Sequence, residues 1–254
     1  MRVIINDNST VEFFDDNRLC GTYHYEDPFK SYFRPLNTPD GRDVVDPPPK
    51  DHPHHKGLQF GLCLSDVNFW EEDLAHEPKE RQLPIGRQLT ERIDTLPVTQ
   101  GIGFTQTVMW CTDSIVSFLE TRTVTVTQAP NAYVWTWRSD LIASRNLKIV
   151  TSVWPGPGYT GLGLRLAQAL FQQGSTRPSD ITSGATPPVI SYLGQGVEVT
   201  FQQQAEQANA LFLSRCQDQA GFAYMSFGPT NNRELDLRQG EHLKGTYAVT
   251  VAKR

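Results

Sequence analysis

The chain has 254 residues, with 23 Lys and Arg against 28 Asp and Glu, a net charge of -5 at pH 7, and 38% hydrophobic and 20% charged residues. That balance excludes a nucleic-acid binder, which needs a surplus of cations on one face to meet phosphates. It also excludes a disordered chain, and the length suits one large β domain spanning residues 1–254 around a shared core.

The N-terminus offers only Val3-Ile4-Ile5 as consecutive apolar residues. That is too short for a secretory core, and no later run reaches the roughly twenty apolar residues of a membrane span. A cytoplasmic protein with no membrane partner is expected. Cys20, Cys63, Cys111 and Cys216 lie far apart without a Cys-x-x-Cys pair, so four free, partly buried thiols are expected rather than a zinc knuckle or redox motif.

Tyr23-His24-Tyr25 and Phe29-Lys30-Ser31-Tyr32-Phe33-Arg34 mix aromatic rings with cationic heads at short range. Such surfaces suit sugars, whose C–H faces stack on rings while their hydroxyls take fixed polar partners. Core and rim packing explains the same aromatics equally well. Next, Asp46-Pro47-Pro48-Pro49-Lys50 forms a stiff lead into Asp51-His52-Pro53-His54-His55, with Gly57 following. Three of the six histidines of the chain fall in this stretch, where a loop enters a strand.

Imidazole both titrates near neutrality and ligates metals, so the cluster is a candidate proton shuttle or ligand set. On an extended backbone His52 and His54 share a face and His55 points away. The competing reading is a solvated loop, or histidines bonded to backbone for structure. Cupin-type sandwiches use His-x-His with a Glu a few residues on, but Lys56-Gly57-Leu58-Gln59-Phe60 holds no acid. A further ligand would have to come through the fold, from Glu120, His24 or His242.

From Gly101 to Val153 the chain reads as an antiparallel meander: Phe104–Trp110, Ile115–Thr127, Tyr133–Ile142 and Leu147–Val153. In Thr121 to Thr127 the valines and threonines alternate between faces. Glu120 and Arg122, two apart, share a face, which is assigned here to the polar, threonine side. They are a site pair or a rim salt bridge. The stretch from Trp154 to Tyr159 and the Ser/Thr/Gly/Pro-rich stretch from Gly174 to Pro188 are loops. Leu162–Leu166 alternates as a strand, and Ala167–Gln173 can close it with a short helix. Strands resume at Val189–Leu193, Val197–Gln203, Leu211–Leu213, Phe222–Phe227 and Thr246–Val251. So many short strands with almost no helix imply two packed antiparallel sheets, an all-β sandwich.

Taken together, Tyr23-His24-Tyr25, the run from Tyr32 to Arg42, the run from Asp51 to Gly61, Val67-Asn68-Phe69-Trp70, the run from Phe118 to Thr125 and the run from Tyr159 to Arg165 resemble a bacterial family labelled "methane oxygenase PmoA" and otherwise of unknown function. The likeness covers most of the chain, yet a membrane oxygenase subunit would need apolar spans that are absent. That family in turn resembles the galactose-mutarotase-like supersandwich. His54-His55-Lys56-Gly57 followed by Phe69-Trp70 is similar to the mutarotase His-Gly-Gly segment, and Leu237-Arg238-Gln239-Gly240-Glu241 to its closing turn. The mutarotases' late catalytic Glu has no counterpart in Ala223 to Pro229.

The resemblance implies a carbohydrate-active enzyme doing acid/base chemistry (epimerisation, elimination or hydrolysis) on a sugar or oxidised sugar. His54 or His55 is then the acid or base with Glu120 as partner carboxylate. Tyr23, Arg34, Trp70, Arg122, Tyr159 and Arg165 are substrate-binding candidates, and a divalent cation on His52, His54 and Glu120 is a variant. The alternatives are a non-catalytic carbohydrate-binding protein and a metal-dependent, cupin-like enzyme.

Overall fold

A computed structural model describes the chain except residues 8, 51, 73–81, 99–100, 152–159, 205–208, 219–220 and 232, and the side chains of 97 and 98. Strands dominate, as the alternating pattern requires. One eight-stranded antiparallel sheet runs, in spatial order, Arg2–Asn6 (β1), Thr10–Asp15 (β2), Arg18–His24 (β3), Tyr32–Leu36 (β4), Leu58–Gly61 (β5), Gly161–Arg165 (β12), Tyr224–Gly228 (β17) and Ala210–Ser214 (β16). The second eight-stranded sheet runs Ser175–Arg177 (β13), Val189–Gly194 (β14), Val197–Gln203 (β15), His242–Lys253 (β19), Ala132–Ala143 (β10), Val116–Ala129 (β9), Gly101–Cys111 (β8) and Arg87–Val98 (β7). Leu235–Leu237 (β18), Leu147–Val150 (β11) and Cys63–Leu64 (β6) make a small third sheet. The one helix among the described residues, Gln168–Phe171 (α1), falls inside the short helix expected after β12.

The inner faces of the two large sheets share one core. Phe13, Tyr23 and Phe33 of the first meet Phe104, Trp135 and Trp137 of the second, all essentially inaccessible to solvent. Phe13 and Trp135 meet edge to face with centroids 5.1 Å apart, an arrangement that adds to the hydrophobic gain of burying both rings. Cys20, Cys63 and Cys111 are buried, Cys216 is half-buried, and all four are free thiols, as expected.

Several features depart from the sequence reading, among them strand β13, which lies inside the stretch from Gly174 to Pro188 read as a loop. The meander runs through β8, β9 and β10 but stops there, because β10 takes the C-terminal β19 as its other neighbour, from Ala132↔Ala252 to Ile142↔His242. The four-residue β11 cannot match so long a ladder and pairs in the small sheet instead. The hairpins at the N-terminus and the charged edge strand β7 are strands that the reading did not name. Finally, Glu120 and Arg122 lie on the buried face of β9 with Val124 and Val126, not on the threonine face. All four positions are even-numbered, so a strand of period two puts them together.

Candidate active site

Alternation in three neighbouring strands builds a second, smaller packed surface on the face of the first sheet turned away from the sandwich core. Leu58 and Phe60 of β5, Leu162 and Leu164 of β12, and Met225 and Phe227 of β17 point into the core. Period two then sends Gln59 and Gly61, Gly163 and Arg165, and Tyr224 to the opposite face. There Trp70, Phe222 and Tyr224 form their own buried cluster, with Phe212 against it. Two glycines make room for it. A Cβ at Gly61 would lie 2.7 Å from the Trp70 ring, and one at Gly163 would lie 2.0 Å from the Tyr224 hydroxyl.

The histidines are laid over this surface by turns, not by an extended backbone. The His52 N–H donates to the Pro49 carbonyl (3.1 Å) and the His55 N–H to the His52 carbonyl (3.0 Å). The Gln59 side-chain amide pins the end of the turn, donating to the His54 carbonyl (2.6 Å) and accepting from the Lys56 N–H (3.2 Å). All three imidazoles therefore converge. Ring centroids are 4.5 Å apart for His54 and His55, 5.0 Å for His52 and His55, and 5.7 Å for His52 and His54. The expectation that His55 points away fails because a turn, unlike a strand, curls successive side chains toward one another. His55 stacks on Tyr224 (5.2 Å, 25° between planes) and meets Phe222 at 5.6 Å.

The acid of the site is Glu71, a residue that the sequence reading passed over. Its carboxylate lies 2.7 Å from Nδ1 of His54, with both side chains nearly inaccessible (9% and 5%). The Asn68 side-chain oxygen accepts from the backbone N–H groups of Trp70 (2.9 Å) and Glu71 (3.1 Å), fixing the turn that aims Glu71 inward. The visible signal was the acid pair Glu71-Glu72 directly after the quoted Phe69-Trp70. A carboxylate on Nδ1 holds the imidazole in the tautomer with its proton there, leaving Nε2 to exchange protons, and stabilises the imidazolium that forms.

His55 has a different electrostatic setting. Burial, reinforced by the neighbouring charges of His54, His52, Arg165 and Lys30, pushes its pKa well below the ordinary 6.5, so the ring is neutral at pH 7. Nη1 of Arg165 lies 3.4 Å from Nδ1 of His55. A guanidinium can only donate, so this nitrogen accepts and the His55 proton sits on Nε2. Arg165 is itself seated over the Phe222 ring at 4.3 Å. The site thus brings together His52, His54, His55, Trp70 and Arg165 of the expected residues.

The other candidates lie elsewhere. Both Glu120 and Arg122 are fully buried between the sheets. Glu120 accepts from Trp110 Nε1 (2.8 Å), Ser139 Oγ (2.6 Å) and Arg122, and Arg122 donates to Tyr23 Oη (2.7 Å) and Gln88 (3.0 Å). Tyr23 completes this network by donating to Gln106 (2.6 Å). None of these bonds reaches the imidazoles, so the carboxylate beside them is Glu71 and not Glu120. Nor is the expected donor set His52, His54 and Glu120 assembled: among the described residues no three His, Cys, Asp or Glu side chains come together as metal ligands. Arg34 is half-buried on β4, its carbonyl bonded to His24 Nε2 at 2.8 Å. Tyr159 lies outside the described residues.

Fold and site together define a two-sheet antiparallel β-sandwich carrying a histidine–carboxylate cluster over the outer face of one sheet. The chain belongs to the family of unknown function DUF6807, whose model matches residues 10–254. No methane-oxygenase label comes with that match. No curated protein matches the sequence. Among solved structures, the chain is similar over its whole length to 41% of the GH36 alpha-galactosidase AgaB of Geobacillus stearothermophilus, at 13% identity and a TM-score of 0.53. It is also similar to the Slr1438 protein of Synechocystis sp. PCC 6803, at 8% identity and a TM-score of 0.45, with 99% of each chain covered. The first of these likenesses shows a sandwich fold shared with a carbohydrate-active enzyme. The chain spans less than half the length of that galactosidase. No helix among the described residues is long and apolar enough to cross a membrane.

Proposed function

We propose that this protein is a carbohydrate-active enzyme that moves a proton on a sugar or oxidised sugar, with His54 as the group that exchanges it. The observation that carries the reading is the 2.7 Å contact between His54 and Glu71 inside a cluster of aromatic rings. In that arrangement Glu71 orients the ring, Nε2 takes a proton from a hydroxyl or an acidic C–H, and the buried carboxylate stabilises the resulting imidazolium. His55, held neutral, packs beside it against Tyr224 and adds no charge to the site. Arg165 is placed to meet negative charge as it develops, and Trp70 and Phe222 wall the site with aromatic rings, the side-chain type that suits sugar C–H faces. The shared fold with a galactosidase supports a sugar as the substrate class.

The test is turnover of a panel of sugars, uronic acids and aldonic acids followed by NMR. His54→Ala and Glu71→Gln are expected to lower turnover by about 10²- to 10⁴-fold, the usual weight of a positioned acid or base. Unchanged turnover in both His54→Ala and His55→Ala rules the assignment out. The absence of an acid from Ala223 to Pro229 favours a second reading, a sugar-binding protein without chemistry. Ligand-induced melting shifts with no product on prolonged incubation would select it.

A further inference from the structure

We propose that Lys30 is a positioning residue: with Glu72, Lys56 and Asp27 it forms a ring of charged side chains, closed through its own backbone N–H, that sets the Glu71 carboxylate against His54. The proposal rests on the reading of His54 and Glu71 as the proton-transfer unit. Lys30 is 1% exposed and lies in the connection between β3 and β4, a buried cation that the proton-transfer chemistry does not use.

The ring can be traced atom by atom. The Lys30 ammonium donates to Glu72 Oε1 at 2.7 Å, and Glu72 Oε2 lies 2.8 Å from the Lys56 ammonium. Lys56 donates to both oxygens of Asp27, at 2.7 and 2.6 Å. Asp27 Oδ1 accepts from the backbone N–H groups of Phe29 (3.0 Å) and of Lys30 itself (3.4 Å), which closes the circuit. A further bond makes the ring specific to the site: the Lys30 ammonium also donates to the Trp70 carbonyl at 2.6 Å. It thus holds the residue before Glu71 by its backbone and the residue after it by its side chain. Lys56 follows His55 directly in the chain. Through the Lys56–Glu72 pair the ring therefore ties the end of the histidine turn to the Glu71 turn that Lys30 holds.

Adhesion alone does not call for such a device. Each buried ion gives up its hydration, and apolar residues of similar volume can hold two loops together without that penalty. Charge-assisted hydrogen bonds supply direction instead, fixing named atoms at set distances. Burial pushes the Lys30 ammonium below its ordinary pKa, with the Glu72 carboxylate opposing the shift. For Lys56 burial acts the same way but is outweighed by Glu72 and Asp27, so its pKa is raised.

The protein labelled with ¹⁵N-histidine tests this directly, through the tautomer of His54 and the solvent exchange of its Nδ1 proton. Lys30→Met and the charge-balanced Lys30→Met/Glu72→Gln, each checked for folding by circular dichroism and methyl dispersion, are expected to speed that exchange at least about tenfold and to mix the tautomers. Lys148→Met, which breaks an exposed pair with Glu234, is the control and leaves the signal unchanged. Slow exchange and a single tautomer retained in either folded Lys30 variant overturn the proposal. Should neither fold, Asp27→Asn opens the ring at its far side and is judged by the same result. Glu71→Gln separates the two ideas. If it leaves the His54 signal unchanged, the functional reading itself fails; if only Glu71→Gln removes the signal, the ring alone is refuted.

Discussion

Glu120 grips Arg122 through two parallel bonds, Oε1 to Nε at 2.9 Å and Oε2 to Nη2 at 2.7 Å, with both side chains wholly inside the sandwich. The guanidinium also lies 4.7 Å from the centre of the Trp137 ring, and Tyr23 reaches it from the opposite sheet. This is a stitch between sheets, so its loss is a matter of stability. Arg122→Met, which strands a buried carboxylate, is expected to cost about 3–5 kcal/mol, and Glu120→Leu/Arg122→Met to recover most of it. Urea unfolding measures both. Activity lost per folded molecule, with stability intact, would return the pair to the chemistry.

His54 and Glu71 act as one unit in the proposed mechanism, so their losses do not add. The double variant His54→Ala/Glu71→Gln is expected to turn over no more slowly than His54→Ala alone, because an orienting carboxylate has nothing to orient once the ring is gone. Multiplying penalties would mean that Glu71 works independently. Single-turnover kinetics on the substrate identified from the panel make the comparison.

The neutral, buried His55 gives stability a direction with pH. Its pKa is depressed in the folded protein, so below the ordinary value of 6.5 the unfolded chain binds the extra proton and the folded one does not. Stability is full above that pH and falls as pH drops, by up to about 1.4 kcal/mol per unit from this residue, until the folded pKa is reached. His55→Phe is expected to flatten the profile below pH 6.5 in denaturant titrations. An equally steep profile in that variant assigns the effect to other groups.

Gly163 keeps open the space in which Tyr224 lies. A Cβ there would sit 2.0 Å from the Tyr224 hydroxyl and 3.0 Å from Ser226 Cβ. Gly163→Ala must displace the ring on which His55 stacks, with the overpacking costing about 1–3 kcal/mol and turnover falling with it. Tyr224→Phe/Gly163→Ala, lacking the clashing oxygen, is expected to recover part of both. Melting temperature and turnover read together decide the point, and a Gly163→Ala protein as stable and as active as the parent contradicts it.

The sandwich was legible because strand alternation is a local property. In Thr121 to Thr127, and in Val197–Gln203 and Thr246–Val251, each residue type declares which face it takes without reference to the rest of the chain. The histidines, too, announced themselves by composition. Glu120 belongs with Arg122, Val124 and Val126 by parity alone, since positions 120, 122, 124 and 126 share a face wherever β9 packs. Lys30 and Lys56 were in view, one inside a quoted aromatic run and the other beside the histidines, but nothing local marks them as partners of the same carboxylate.

By itself, then, the sequence determined the all-β architecture, the free thiols and the stretch that carries the histidine cluster, because period, propensity and side-chain type act over a few residues. Which acid meets which imidazole was decided only by the tertiary structure. Glu71 is seventeen positions beyond His54, and Arg165 and Tyr224 are farther still. Their convergence depends on β5, β12 and β17 lying side by side in one sheet, and that neighbourhood is set by the packing of the whole sandwich, not by any local run of residues.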